Sequence, residues 1–252
     1  MKKFVALIIG DEIISGKRVD SHFTAITTML EKRGLRLTRA EYLPDNRAQL
    51  VEVFKRTFSE QAVVFSCGGI GNTPDDKTRQ AAAEAFHSPL TINEEGLKIL
   101  QKRFDHVDSA RQLLVEFPQN AQLIPNPFNQ VPGFYLNEHY FVPGFPQMAH
   151  PMLEWVLENF YQMEFQSPKN VMDKALFLTG KEAYESALLP LMQEIQQKYP
   201  TCRLYSLPFV RSNQPYHLEL GIEGSPELVD SAFADILEKL NSRPIHYRWR
   251  EE

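Results

Sequence analysis

The apolar positions of the N-terminal part switch repeatedly between a strand pattern and a helix pattern. Phe4–Ile9 is an unbroken apolar run, as in a strand covered on both faces. The polar loop GDEIISGKRVD follows. Phe23, Ile26 and Leu30 then recur at helical spacing until Gly34 ends the helix. Leu35–Leu43 reads as a second strand, Leu50, Val53, Phe54 and Phe58 mark a second helix, and Ala62–Ser66 is a third strand. This order predicts an α/β fold whose mostly parallel sheet carries helices on both faces. Ligands of such sheets bind beyond the carboxyl ends of the strands. The loops GDEIISGK, LPDN and GGIGNTPDD are therefore expected to meet at one edge.

From Glu94 to Phe117 the pattern is helical. The stretch FPQNAQLIPNPFNQVPGFYLNEHYFVPGFP, rich in Pro and Asn, reads as loops and brief strands, followed by a helix from Met148 to Phe160. The polar junction QMEFQSPKN reads as a linker, giving domains at 1–166 and 167–252. The second contains a strand (Ala175–Leu178), a helix (Ala183–Gln197), two strands (Arg203–Leu207 and His217–Ile222) and a helix (Glu227–Leu240), a small α+β unit of βαββα order.

Composition narrows the function classes. An apolar fraction of 43% supports a sizeable core, and a net charge of −5 gives no basic footprint for nucleic acid. The βαββα unit has no GxxG loop to clamp a nucleic-acid backbone. No run reaches the roughly 18 apolar residues of a membrane span, so no membrane association is expected. The opening MKKFVALIIG reads as a first strand rather than a signal peptide, because Gly10-Asp11-Glu12 ends its apolar run without a cleavage site. Cys67 and Cys202 do not suggest a disulfide framework, and the expected compartment is the cytoplasm.

The chemistry is concentrated in FSCGGIGNTPDDKTRQAAAEAF, Phe65 to Phe86. Gly68, Gly69 and Gly71 allow positive φ and close approach to a ligand, and backbone N–H groups at a following helix start face an anion. The same residues also fit a plain helix start, with Thr73 as N-cap, Pro74 in the first helical position and Asp76 closing a capping box. Two observations favour a ligand site. Asp75 and Asp76 would repel a bound phosphate unless a Mg²⁺-type ion lay between them, and Asp45 could supply a further carboxylate from the LPDN loop. Asp45 could equally be a loop residue capping the helix that begins near Asn46, and Asp11 and Glu12 could be solvated loop acids.

The segment GGIGNTPDDKTRQA resembles the signature of the MoaB/Mog molybdopterin-binding domain family. GDEIISGKRVDSHF, IPNPFNQVPGF, FVPGFPQMAHPM and KEAYESALLPLM resemble motifs of its competence/damage-inducible protein A (CinA) branch. The resemblance covers nearly the whole chain. It implies a three-layer α/β/α Mog-like domain that binds a phosphorylated pterin or nucleotide, plus the branch's small second domain. It also implies a short form without the nicotinamide-nucleotide amidase domain. Asp45 and Asp76 match essential aspartates of molybdopterin adenylyltransferases, so the implied catalytic pair is Asp45 and Asp76 and the implied metal set Asp45, Asp75 and Asp76. The implied ligand loops hold Gly10, Asp11, Glu12, Ser15, Gly16, Gly68, Gly69, Gly71, Asn72, Thr73, Asn126, Pro143 and Gly144. His22 and Asn72 depart from the branch's usual Asn and Pro.

CinA-type members are linked to metal-dependent ADP-ribose pyrophosphatase activity, so the expected enzyme is a nucleotide pyrophosphatase using Mg, Mn or Co. Adenylyl transfer to molybdopterin and non-catalytic binding of a pterin or nucleotide are the alternatives. A homo-oligomer is implied as well. Lys17, Arg18, Lys77 and Arg79 fit either phosphate contacts or exposed charges, with exposure favoured for Lys77 and Arg79. Cys67 reads as a buried small residue and His22 as a first-turn helix residue. Tyr135, Tyr140, Phe141 and Phe145 fit either packing or stacking on a ring.

Overall fold

Residues 2–166, 171–209 and 217–250 are described by the computed structural model, and the chain divides into two units, 1–166 and 167–252. The first unit runs β1 (Phe4–Ile9), α1 (Asp11–Ile14), α2 (His22–Glu31), β2 (Leu37–Leu43), α3 (Arg47–Ser59), β3 (Val63–Cys67), α4 (Thr78–Ala85), β4 (Leu90–Ile92), α5 (Glu94–Arg103), α6 (Ser109–Gln112), β5 (Glu116–Pro118), β6 (Gln122–Ile124), β7 (Gly133–Leu136), β8 (His139–Val142) and α7 (Pro146–Phe160). Six strands form one sheet in the order β2-β1-β3-β8-β7-β6. β2, β1, β3 and β8 are parallel; β7 and β6 extend the sheet antiparallel. β4 and β5 make a separate antiparallel ribbon.

Strand periodicity divides the core. Phe4 and Ala6 of β1 and Phe65 of β3 pack with Ile26 and Leu30 of α2 and with Met152, Leu153 and Val156 of α7. Val5, Leu7 and Val64 face the other way, onto Leu50 and Phe54 of α3 and Ala81 and Ala82 of α4. The continuous apolar runs are thus buried on both sides of a three-layer α/β/α unit. Each fully buried Leu, Ile or Phe contributes about 1.5–3 kcal/mol.

The second unit runs β9 (Met172–Gly180), α8 (Glu185–Lys198), β10 (Arg203–Pro208), β11 (Leu218–Gly224), α9 (Pro226–Asn241) and β12 (Ile245–Trp249). Its antiparallel sheet has the order β10-β11-β9-β12. Leu176, Leu178, Leu218, Leu220 and Ile222 share a core with Leu188 and Leu191 of α8 and Val229, Phe233 and Ile236 of α9.

Three expectations are corrected. The helix expected to start at Thr73 begins at Thr78, because Thr73–Asp76 closes into a turn. Glu94–Phe117 is not helical throughout: α5 and α6 are followed by β5, which pairs with β4. The βαββα order of the second unit gains a last strand, β12, whose charged and aromatic residues pair with β9. The linker expected over 162–170 begins with a 3-10 turn, Gln162–Glu164, and its residues 167–170 lie outside the described residues. Among the described residues no helix is long and apolar enough to cross a membrane.

Candidate functional site

The parallel register brings four loops to one edge. Ile9 lies opposite Leu43, Ile8 opposite Cys67, and Cys67 opposite Val142, so the chain leaves β1, β2, β3 and β8 side by side. Their loops line a cavity of about 560 Å³, within the usual range for small-ligand pockets. Gly10, Glu12, Asp45, Gly68, Gly69, Gly71, Asn72, Thr73, Asp75, Asp76, Pro143 and Gly144 all reach it. A larger, more open hollow near Lys2, Lys3, Glu60 and Glu138 lies at the amino ends of the strands and holds none of these loops.

Glycine is required in the turn after β3. Gly68 has φ 115, and a Cβ there would lie 2.1 Å from the Ile9 carbonyl oxygen. Gly69 has φ 69, and its Cβ would lie 2.3 Å from Thr78 Oγ1. The turn is anchored from behind. Thr78 is fully buried; its hydroxyl donates to the Gly68 carbonyl (2.9 Å) and its N–H to the Gly69 carbonyl (3.0 Å). Arg79 Nη2 and Nε donate to the Gly71 carbonyl (2.8 and 3.2 Å). His22 Nε2 lies 3.2 Å from the Gly144 carbonyl oxygen.

Among the described residues no peptide bond is cis. In a planar trans peptide the C=O and N–H point in opposite directions. The N–H groups that share planes with these four carbonyls belong to Gly69, Ile70, Asn72 and Phe145, all lining the cavity. None of the four makes a hydrogen bond among the described residues.

The acids divide by role. Asn46, not Asp45, caps α3: its side chain accepts the Gln49 N–H at 3.1 Å. Asp45 is left to the cavity, where its Oδ2 accepts the Asp11 N–H (3.0 Å). Burial, together with the charges of Asp11, Glu12 and Asp76, pushes the Asp45 carboxyl above its ordinary value against the lowering effect of that backbone bond. Asp76 Oδ2 accepts both the Thr73 N–H (2.9 Å) and the Thr73 hydroxyl (2.5 Å), and its own N–H donates to the Thr73 carbonyl (3.1 Å), so one half of a capping box is used to close a turn. Asp75 is exposed, and the neighbouring Thr73 hydroxyl holds its carboxyl below the ordinary range.

Among the described residues no three His, Cys, Asp or Glu side chains gather closely enough to hold a metal ion. The expected trio Asp45, Asp75 and Asp76 lines the cavity without gathering into a ready-made metal centre. Asp45 and Asp76 remain as carboxylates on the cavity wall. That donor set fits a Mg²⁺-type ion that takes one or two carboxylates and completes its shell with ligand phosphate.

Four expected residues stand outside the cavity wall. Asp11 holds Asp45 from behind; Ser15 bonds the Glu12 carbonyl at 3.5 Å; Gly16 supplies only a positive φ of 71 to its loop. Asn126 is buried, and its amide is fully used within its own loop, donating to Asn129 and Val131 and accepting the Phe128 N–H. It shapes the wall rather than touching a ligand.

Sequence reasoning also missed contributors. Arg79 is 2% exposed rather than a surface charge; it pairs with Glu116 as well as Gly71. Arg103, Phe104, Leu114, Asn129, Val131, Pro132 and Met148 also line the cavity, alongside Phe145 and Arg18, which the sequence had offered as candidate ring and phosphate contacts. Lys77 donates to the Pro74 carbonyl instead. Tyr135 and Tyr140 stack on each other away from the cavity, while Phe141 is buried in the core. Cys67 is buried and its thiol is pushed up by that burial, which suits packing.

Residues 5–162 match the family model described as "Probable molybdopterin binding domain". A CinA-like protein of Geotalea uraniireducens is 35% identical over 162 residues, covering 60% of this chain and 38% of that protein's length. A protein from Pyrobaculum arsenaticum is 26% identical over 97% of both chains. The crystal structure of the protein CinA, of unknown function, from Thermoplasma acidophilum shares the fold with a TM-score of 0.57 and 24% identity, covering 62% of this chain and 97% of that one. The chain belongs to the molybdopterin-binding-domain family.

Proposed function

We propose that the cavity binds a phosphorylated heterocycle of the nucleotide or pterin type and hydrolyses its phosphoanhydride, with ADP-ribose as the first substrate to test. One observation carries this reading: four peptide units present unengaged N–H groups at the cavity while their carbonyls are tied down behind it. Such clusters of backbone donors bind phosphate oxygens. The apolar lining, with Phe104, Leu114, Val131 and Phe145, suits a flat ring, and Arg18 and Arg103 add positive charge at the wall.

The acids set the chemistry. Phosphate beside Glu12, Asp45 and Asp76 needs a counter-ion, and a divalent metal held by Asp45 and Asp76 would supply it and neutralise charge developing on phosphorus. Asp45 orients a water for in-line attack and receives its proton. The P–O–P bridge breaks, and ADP-ribose and water give AMP and ribose 5-phosphate. The Asp11 N–H fixes the carboxylate for that task. Incubation with ADP-ribose and Mg²⁺, Mn²⁺ or Co²⁺ is expected to release AMP, with roughly 100-fold or greater loss in Asp45→Asn. AMP release no greater than that of an Asp76→Ala control rules out hydrolysis.

A second reading is favoured by Asp76, whose Oδ2 is already engaged twice by Thr73. On that reading the cavity binds its ligand without turning it over. The expected sign is a rise in melting temperature with ADP-ribose but no AMP.

A further inference from the structure

We propose that His22 and Arg79, which lie outside the cavity wall, are positioning residues that set the polarity of the anion cradle. Each turns a glycine carbonyl backwards, so that the N–H of the same peptide plane is presented to the ligand. The inference rests on the phosphate reading of the cavity.

The two residues act from opposite layers. His22 opens α2, whose Ile26 and Leu30 pack on one face of the sheet; Arg79 lies in α4, whose Ala81 and Ala82 pack on the other. Both are almost fully buried, at 4% and 2% exposure. Arg79 holds the Gly71 carbonyl with two N–H groups, and its third nitrogen donates to the Glu116 carbonyl (3.0 Å) and carboxylate (3.3 Å). Four of the five guanidinium N–H groups are engaged in this way, which holds the Gly71–Asn72 peptide in one orientation.

His22 is fixed by a chain of hydrogen bonds. A carbonyl oxygen only accepts, so His22 Nε2 carries the proton donated to Gly144. Neutral His22 then has an acceptor at Nδ1, and His150 Nε2, 3.2 Å away, donates to it. The rings meet edge to face at 5.2 Å and 89°. Direction therefore runs from His150 through His22 to Gly144. Asp20 is the charged group that faces the pair; its carboxylate accepts the His22 and Phe23 N–H groups and the Tyr42 hydroxyl. Burial lowers both imidazoles from their ordinary value, which favours the neutral forms the chain requires. A proton arriving on the outer Nδ1 of His150 leaves the direction unchanged. A second proton on the pair would set N–H against N–H.

Inorganic pyrophosphate is the probe, followed by backbone amide signals in the full chain. In the wild-type protein its addition is expected to move the Gly69, Asn72 and Phe145 amides. His22→Leu is expected to weaken binding about tenfold, the scale of one lost donor to an anion, and to abolish the Phe145 response while sparing that of Asn72. His22→Gln, which keeps a donor in reach and does not titrate, is expected to restore affinity to within about twofold. Nitrogen-15 imidazole spectra are expected to place the His22 proton on Nε2. Equal affinity in the Leu and Gln variants, or a proton on Nδ1, overturns the positioning role even where pyrophosphate binds. Should the Leu variant not fold, the Gln variant and the imidazole spectrum decide. No pyrophosphate binding by the wild-type protein overturns the phosphate reading itself, and this inference with it.

Discussion

Asp11 and Asp45 lock two loops to each other by exchanging bonds: the Asp11 N–H donates to Asp45 Oδ2 at 3.0 Å, and the Asp45 N–H donates to Asp11 Oδ1 at 3.2 Å. The exchange ties the loop after β1 to the loop after β2. It also holds two carboxylates close together, which adds to burial in making Asp45 harder to ionise than an ordinary aspartate.

On the proposed chemistry, the charge that serves function at Asp45 opposes stability. A carboxyl raised by folding stabilises the protein below its unfolded value, and that contribution is lost as pH rises through the folded value. Asp45→Asn keeps an acceptor for the Asp11 N–H and removes the charge. It is expected to be more stable than wild type near neutrality, by less than about 1 kcal/mol because the site is partly solvated, and to lose this advantage below the ordinary carboxylate range. Urea denaturation at neutral and acid pH measures the difference. A variant less stable than wild type at neutral pH would show that the hydrogen bond outweighs the repulsion.

Arg79 is expected to matter for stability as well as polarity. Arg79→Met leaves the Gly71 carbonyl and the Glu116 carboxylate without their donors. The expected cost is about 3 kcal/mol, with Arg79→Lys recovering only part because an ammonium cannot span both partners. Chemical denaturation gives the values, and a loss below about 0.5 kcal/mol, the range of an ordinary surface change, would show that the turn does not depend on the guanidinium.

Gly69→Ala tests the backbone of the cradle. The residue has φ 69, and the added methyl would meet Thr78 Oγ1 at 2.3 Å. Left-handed strain alone costs about 1 kcal/mol, and displacing Thr78 breaks its bond to the Gly68 carbonyl. The variant is expected to lose at least about 2 kcal/mol and most phosphate affinity. Unchanged stability would mean that the turn adjusts without cost.

His139 gives a pH dependence unrelated to the site. It is buried; its Nδ1–H donates to the Asn137 carbonyl, and Nε2 accepts from Thr57, both at 2.8 Å. Burial lowers it from 6.5 to about 4. The neutral form is favoured by folding, so its contribution is present above about pH 6.5 and lost as pH falls toward 4. Unfolding near pH 5 is expected to take up about one proton more in wild type than in His139→Gln. Equal proton uptake would show that His139 titrates normally in the folded protein.

The sequence was most informative where one pattern served one purpose. Phe4–Ile9 and Ala62–Ser66 are apolar at every position or nearly so because both faces of β1 and β3 are covered, and the three loops expected to converge do so. Ambiguity arose where a motif could close a turn or start a helix. Thr73 and Asp76 make capping-type bonds, but to seal a turn ahead of α4. Charge misled at Arg79, since a buried guanidinium in a helix has the same sequence signature as an exposed one. Phe104, Leu114 and Val131 went unmarked because residues lining a cavity are as apolar as residues filling a core. β12 escaped because its charged residues mask the alternation of an edge strand.

The central claim is that phosphate sits on the glycine turn, and a crystal structure with ADP-ribose and Mg²⁺ tests it most directly. The expected result is a pyrophosphate group within hydrogen-bonding distance of the Gly69, Ile70 and Asn72 N–H groups, with a metal ion between it and Asp45 and Asp76. A ligand bound elsewhere, with the turn unaltered and Asp76 bonded only to Thr73, would contradict it.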